Sequence, residues 1–166
     1  MKAAMAPKTN AARILDSLGI HYELREYAVD PDDLSAITVA RKIGLPPEQV
    51  FKTLLTQTNL REYLFAAIPG DAELDFKKLA VVCGAKKTEM VSLKDVEPLT
   101  GYVRGAVTML GARKPFPSFV DEAIHLFEVV SLSAGVRGVQ MLLAPEDYLR
   151  ATDATVAALA MYGARA

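Results

Sequence analysis

The chain has 166 residues, 51% of them hydrophobic, an ordinary globular composition long enough for one domain around one substantial core. Nineteen basic residues against twenty acidic ones exclude a strongly basic nucleic-acid binder, so any contact with nucleic acid must be local. The single cysteine, Cys83, excludes an internal disulfide framework and fits a reducing compartment. The start from Met1 to Lys8 lacks the apolar stretch of a secretory leader, and no later run approaches bilayer length. A soluble, cytoplasmic protein without a membrane partner is expected.

In chain order, Thr9 is placed to cap a first helix over Ala11 to Leu18, with Ile14, Leu15 and Leu18 as its apolar stripe and Gly19 as its stop. Tyr22 to Tyr27 alternates apolar and charged residues as a half-exposed strand does, and Asp30-Pro31-Asp32-Asp33 ends it. Ser35 opens a second helix that closes at Gly44. Pro46-Pro47-Glu48 then turns the chain into an apolar strand, Val50 to Leu55. Polar Gln57 to Arg61 separates that strand from another, Glu62 to Ile68, as in an antiparallel hairpin. Helices are predicted over Asp75 to Val82 and Leu93 to Leu99, the second with Ser92 and Asp95 arranged like a capping box. Strands are predicted at Leu126 to Val130 and Val139 to Leu143, and a last helix opens at Ala144 to Asp147. Strands and helices are mixed without regular βαβ alternation, which indicates a mixed α+β domain.

Lys52 is the anomaly. Side chains alternate along a strand, so Lys52 shares a face with Val50 and Leu54 and has Phe51 and Thr53 on the other side. An ammonium among apolar neighbours needs an anionic partner, or a stem that carries it to water. Two readings fit: a lysine protecting an exposed sheet edge, or an anchor for a bound ligand. A second unusual segment runs from Gly101 to Gly111, where three glycines stand in a stretch too apolar for an ordinary surface loop, as if backbone approached something closely. The basic pairs Lys77-Lys78 and Lys86-Lys87, with Arg104, Arg113 and Lys114, read either as a solvated face or as a phosphate track.

No P-loop, G-x-G-x-x-G, G-x-S-x-G or C-x-x-C is present. His21 and His125 lack paired-ligand spacing, so no zinc site is expected. Cys83, at a helix end near Lys86 and Lys87, is either a packed thiol or a nucleophile with a lowered pKa.

Three segments together carry a family resemblance. Val50-Phe51-Lys52-Thr53-Leu54, then Gly101-Tyr102-Val103-Arg104-Gly105 through Gly111, then Gly135-Val136-Arg137-Gly138-Val139-Gln140 followed by Ala144-Pro145-Glu146-Asp147 resemble, in order, the YbaK/EbsC family. Its members are aminoacyl-tRNA deacylases related to the editing insertion of bacterial prolyl-tRNA synthetase. The resemblance runs from the first helix to about Leu149. It implies one editing domain over 1–166 with an α+β fold, a mixed, barrel-like β-sheet flanked by helices. The implied partner is the acceptor end of a mischarged aminoacyl-tRNA, cysteinyl-tRNA(Pro) or another small aminoacyl-tRNA, with prolyl-tRNA synthetase as a further candidate. No cofactor, metal, DNA or membrane is implied.

The resemblance also implies roles. Lys52 would hold the terminal phosphate or sugar and orient the ester; Gly105, with Thr108, would serve catalysis from the glycine loop, since backbone N–H groups can meet the oxyanion that develops on ester cleavage. Tyr27, Gly101, Gly111 and Arg137 would bind substrate. No protein nucleophile is required, because in the cysteine-specific branch the substrate's own thiol attacks the ester, and in alanine-directed relatives a water does. The chain departs from the Gly-Gly-x-Ser-Pro-x-Gly pattern of cysteine deacylases, reading Gly105-Ala106-Val107-Thr108-Met109-Leu110-Gly111. Gln140 stands where some relatives carry an acid. The altered loop leaves open a second function, a tRNA-end or nucleotide-binding module without turnover.

Overall fold

The computed structural model describes residues 8–163; the start read above for a leader lies, up to Pro7, outside them. Among the described residues are five α-helices: α1 (Asn10–Ser17), α2 (Ala36–Ile43), α3 (Phe76–Cys83), α4 (Leu93–Thr100) and α5 (Pro145–Thr152). The strands are β1 (Tyr22–Glu26), β2 (Phe51–Thr58), β3 (Tyr63–Pro69), β4 (Glu73–Leu74), β5 (Thr88–Met90), β6 (Ser118–Asp121), β7 (Val130–Ser133), β8 (Val139–Leu143), β9 (Thr155–Ala157) and β10 (Ala160–Met161).

They form a five-stranded mixed sheet in the order β5-β2-β3-β6-β9, a three-stranded antiparallel sheet β1-β8-β7 and a two-stranded ribbon β10-β4. Among the described residues each sheet is an open ladder, and one parallel bridge, Val50 to Ser131, links the two larger ones. The fold is thus α+β, with the hairpin expected from the spacing realised as β2 and β3, Lys52 opposite Ile68.

The cap residues act as the sequence suggests in most places. Thr9 accepts from Ala12 N at the start of α1, and Ser35 accepts from Thr38 N at the start of α2. Gly44 closes α2 in the left-handed region, where a residue without Cβ carries no steric penalty. Ser92 occupies the N-cap of α4 but its side chain makes no capping bond; Asp95 N donates to the Ser92 carbonyl instead.

One expected strand is corrected. Leu126 to Val130 is not extended throughout: Glu122–Leu126 is a 3-10 helix and β7 begins only at Val130. Asp121 explains this, because its carboxylate accepts from Ala123 N and starts the turn. The same buried carboxylate accepts from Leu159 N at 2.9 Å and Ala160 N at 2.8 Å, fastening the segment between β9 and β10 to the end of β6. Asp121→Ala removes an ionised acceptor from three backbone donors. It is expected to cost about 3 kcal/mol and to lower the melting temperature by roughly 6–12 °C, measured by thermal unfolding.

The main core lies between the three-stranded sheet and α1, centred on Leu15, Leu132, Met141 and Tyr148. A second cluster joins β3 and β6 to α3 through Ile68, Phe119 and Leu79. Two smaller ones matter for the site. Val39, Ala40 and Ile43 seat α2 against Val50, at the start of the Lys52 strand. Leu55, Phe65, Val91 and Val96 hold the segment from Val107 to Phe116 against the five-stranded sheet.

Candidate active site

A cleft of about 560 Å³ opens between these two smaller clusters, within the range of small-molecule sites. Its walls are the segment leading into α2 from Asp32 to Ile37, residues Val50 to Leu55, the glycine loop at Arg104, Gly105 and Val107, and Ser133 with Gln140 from the three-stranded sheet. Met90 and Leu93 complete an apolar rim.

Lys52 lines this cleft and is half-buried. β2 pairs with β3 on one side and with β5 on the other, and beyond its start Val50 bridges β7. β5 pairs only with Thr56 to Thr58, so at Lys52 itself the ladder partner is Ile68 on β3. The ammonium makes one long contact, to the Gly70 carbonyl at 3.5 Å, and no carboxylate lies at ion-pair distance among the described residues. Burial lowers its pKa, opposed by the negative charges of Glu73 and Asp71.

Gly70, which follows β3, is also a site residue. It is buried and lines the cleft. A Cβ there would stand 2.7 Å from the Val50 carbonyl oxygen and 2.9 Å from both Ala36 Cβ and the Pro47 carbonyl oxygen. Only glycine lets the start of α2 and the Pro47 turn close on the hairpin beside Lys52. Pro69-Gly70 after a strand was the available signal, but a sequence shows turn propensity and not what the turn packs against.

The glycine loop divides by alternation. Arg104, Gly105 and Val107 face the cleft, whereas Ala106 and Thr108 are fully buried. Gly105 is exposed with φ +85, and its N–H makes no hydrogen bond among the described residues. Thr108 points away from the cleft lining; its Oγ1 accepts from Leu110 N at 3.4 Å. The departures at Ala106 and Thr108 therefore sit on the core side of the loop. Arg137 donates through Nε to the Arg104 carbonyl at 2.7 Å, bracing the loop from outside the cleft lining.

The other expected binding residues lie off the cleft. Gly101 is the left-handed cap of α4. A Cβ on Gly111 would stand 2.6 Å from Asn10 Nδ2 and 3.0 Å from the Tyr102 hydroxyl, and one on Gly135 would stand 3.0 Å from Tyr102 Cε1. Tyr102, whose hydroxyl donates to the Leu110 carbonyl, thus occupies space that these glycines leave free. Tyr27 packs with the α2 cluster. Cys83 is half-buried at the end of α3 and does not line the cleft.

Acidic residues line only the segment before α2. Asp33 accepts from Ser35 N and Oγ and from the Thr38 hydroxyl, and those hydrogen bonds, Thr38 foremost, hold its carboxyl down at about 2. Across the cleft, the Ser131 hydroxyl donates to Gln140 Oε1 at 2.8 Å, and Ser133 Oγ donates to the Ala106 carbonyl at 2.9 Å.

The profile of the aminoacyl-tRNA editing domain matches residues 30–151, and every residue of the cleft falls within that span. The chain belongs to this editing-domain family. A relative from Enterococcus faecalis (strain ATCC 700802 / V583), provisionally named Cys-tRNA(Pro)/Cys-tRNA(Cys) deacylase EbsC, is 43% identical over 146 residues, covering 88% of this chain and 89% of its own. A proline–tRNA ligase of Desulforamulus reducens (strain ATCC BAA-1160 / DSM 100696 / MI-1) is 33% identical over 89 residues, which are 54% of this chain and 15% of the ligase. Among solved structures, one described provisionally as a trans-editing enzyme for prolyl-tRNA synthetase superposes with a TM-score of 0.81 at 22% identity, over 95% of this chain and 99% of that one. At that identity the superposition speaks for a shared editing-domain fold. No helix among the described residues is long and apolar enough to cross a membrane.

Proposed function

We propose that this editing domain hydrolyses the ester of a mischarged aminoacyl-tRNA, cysteinyl-tRNA(Pro) first among the candidates, acting as one domain on the acceptor end. The observation that carries the reading is the half-buried Lys52 ammonium, without a carboxylate partner among the described residues, in a cleft that also presents the Gly105 N–H, unpaired among those same residues. An ester carbonyl gains negative charge as it is attacked, and donors already aimed at that charge stabilise it without reorganising.

Lys52 anchors the sugar or phosphate end and supplies positive charge beside the ester, and Gly105 offers a backbone donor to the oxyanion. Gly101, Gly111, Tyr27, Thr108 and Arg137 act by holding the loop and the α2 wall. The attacking group is a water or the substrate's own thiol. In the second case sulfur bonds to the carbonyl carbon, the bond to the ribose oxygen breaks, and that oxygen takes a proton. Neither route needs a protein nucleophile, which fits Cys83 lying off the cleft. We read the two larger sheets, linked at Val50–Ser131, as a barrel-like wall behind the site.

The test is a panel of tRNAs charged with cysteine, alanine, serine and proline, each incubated with purified protein. Ester loss above the blank for at least one mischarged species is expected; ester loss for none would rule the reading out. Cys83→Ser is expected to retain full activity, measured in the same assay.

A further inference from the structure

The cleft holds a second polar group that the reading above does not use. Gln140 is 5% exposed, lies on β8 and lines the cleft. Its Oε1 is occupied by the Ser131 hydroxyl at 2.8 Å. Its Nε2 has no hydrogen-bond partner among the described residues, yet it is absent from the fully enclosed unpaired atoms, so it reaches the cleft surface. A nine-tenths buried amide fixed by its oxygen thus presents N–H donors to whatever occupies the cleft.

Its position relative to Lys52 follows from strand register. Val50 bridges Ser131 in the parallel sense, two residues before Lys52 on one strand and two before Ser133, the ladder partner of Gln140, on the other. Lys52 and Gln140 both line the one cleft. Both are donors pointing into one space. With Lys52 at the sugar end of an ester, the Gln140 amide stands at the amino-acid end.

We propose that Gln140 is a specificity-determining residue, whose N–H donates to an acceptor atom on the side chain of the bound aminoacyl group. It selects small side chains that carry oxygen or sulfur over apolar ones of the same size. This rests on the reading that the cleft takes an aminoacyl ester. The physical basis is asymmetric: an apolar side chain leaves a buried donor desolvated and unpaired, a larger penalty than a missing methylene imposes. Ser131 is a positioning residue, since its hydroxyl keeps the amide oxygen turned away from the cleft.

Binding separates this proposal from turnover. The probes are two non-hydrolysable adenosine conjugates with an amide link at the 3′ position, one seryl and one α-aminobutyryl, which differ by hydroxyl against methyl. By calorimetry the wild-type protein is expected to bind the seryl conjugate about tenfold more tightly. Gln140→Met is expected to bring the two within about twofold without weakening the α-aminobutyryl conjugate, and Ser131→Ala to reduce the difference in part. Equal binding of both probes by the wild type, no binding of either, or a preference that survives in Gln140→Met would overturn the proposal. The expected preference in a protein that cleaves no ester would sink the deacylase reading and leave this one standing; ester cleavage without the preference would do the reverse.

Discussion

Lys52→Ala is expected to lower kcat/KM for ester cleavage by at least about a hundredfold, the scale of losing a donor aimed at a developing oxyanion. Stability should not fall with it. The ammonium is half-buried, touches only the Gly70 carbonyl at 3.5 Å and has no ion-pair partner among the described residues. Burial lowers its pKa below the ordinary lysine value of 10.5. The sign of the linkage follows: the unfolded chain binds this proton more tightly than the folded one, so the contribution of Lys52 to stability rises as pH climbs from below the folded pKa towards 10.5. At neutral pH the charged lysine is a cost, and Lys52→Met should melt at the same temperature as the wild type or slightly higher. Activity shows the opposite trend. Loss of the proton removes the positive charge from the cleft, so the enzymatic rate, corrected for spontaneous alkaline hydrolysis, should decline with an apparent pKa below 10.5. Melting curves and a pH–rate profile check both halves. A variant that loses activity only by unfolding would contradict the assignment.

Gly70→Ala is expected to damage fold and site together. The added Cβ meets two backbone carbonyl oxygens, at 2.7 Å on Val50 and 2.9 Å on Pro47, and neither belongs to a flexible side chain that could swing aside. Relief requires the Pro47 turn and the start of α2 to move away from the hairpin, which breaks the Gly70 N to Pro47 carbonyl bond. The expected cost is about 2–3 kcal/mol, as for other overpacked positions. Because the moved elements form one wall of the Lys52 cleft, kcat/KM should fall by about tenfold or more even where the variant is still folded. Denaturant unfolding and single-turnover kinetics on the same preparation measure the two effects separately. Unchanged kinetics with only a lowered midpoint would mean that α2 does not shape the site.

Much of this was legible in the chain, and the reasons are local. Helix caps at Thr9, Ser35 and Gly44 depend on one residue and the few that follow it, so their chemistry is written in sequence. The β2–β3 hairpin was visible because two apolar runs flank a short polar turn. Lys52 stood out because a charge interrupts such a run. Longer-range facts were hidden. β6 follows Pro115 and Pro117, whose presence reads as loop, and its partners are parallel strands distant in sequence. β4 and β10 are two residues each, too short for any period. The glycine loop is recognisable as unusual, but which of its residues face the cleft depends on packing: the space beside Gly111 is taken by Asn10 and Tyr102. Gly70 shows in the chain only as turn propensity after a strand, and Gln140 only as a departure from the acid that some relatives carry. Their significance arises from what the fold brings against them.

The most direct measurement is the single-turnover rate at which wild-type protein releases amino acid from cysteinyl-tRNA(Pro), beside prolyl-tRNA(Pro) and the Lys52→Ala variant under the same conditions. Lys52-dependent release from the mischarged species, with the correctly charged species left at its spontaneous rate, is the expected result. Release no faster than the blank, or release that Lys52→Ala leaves unchanged, would contradict it.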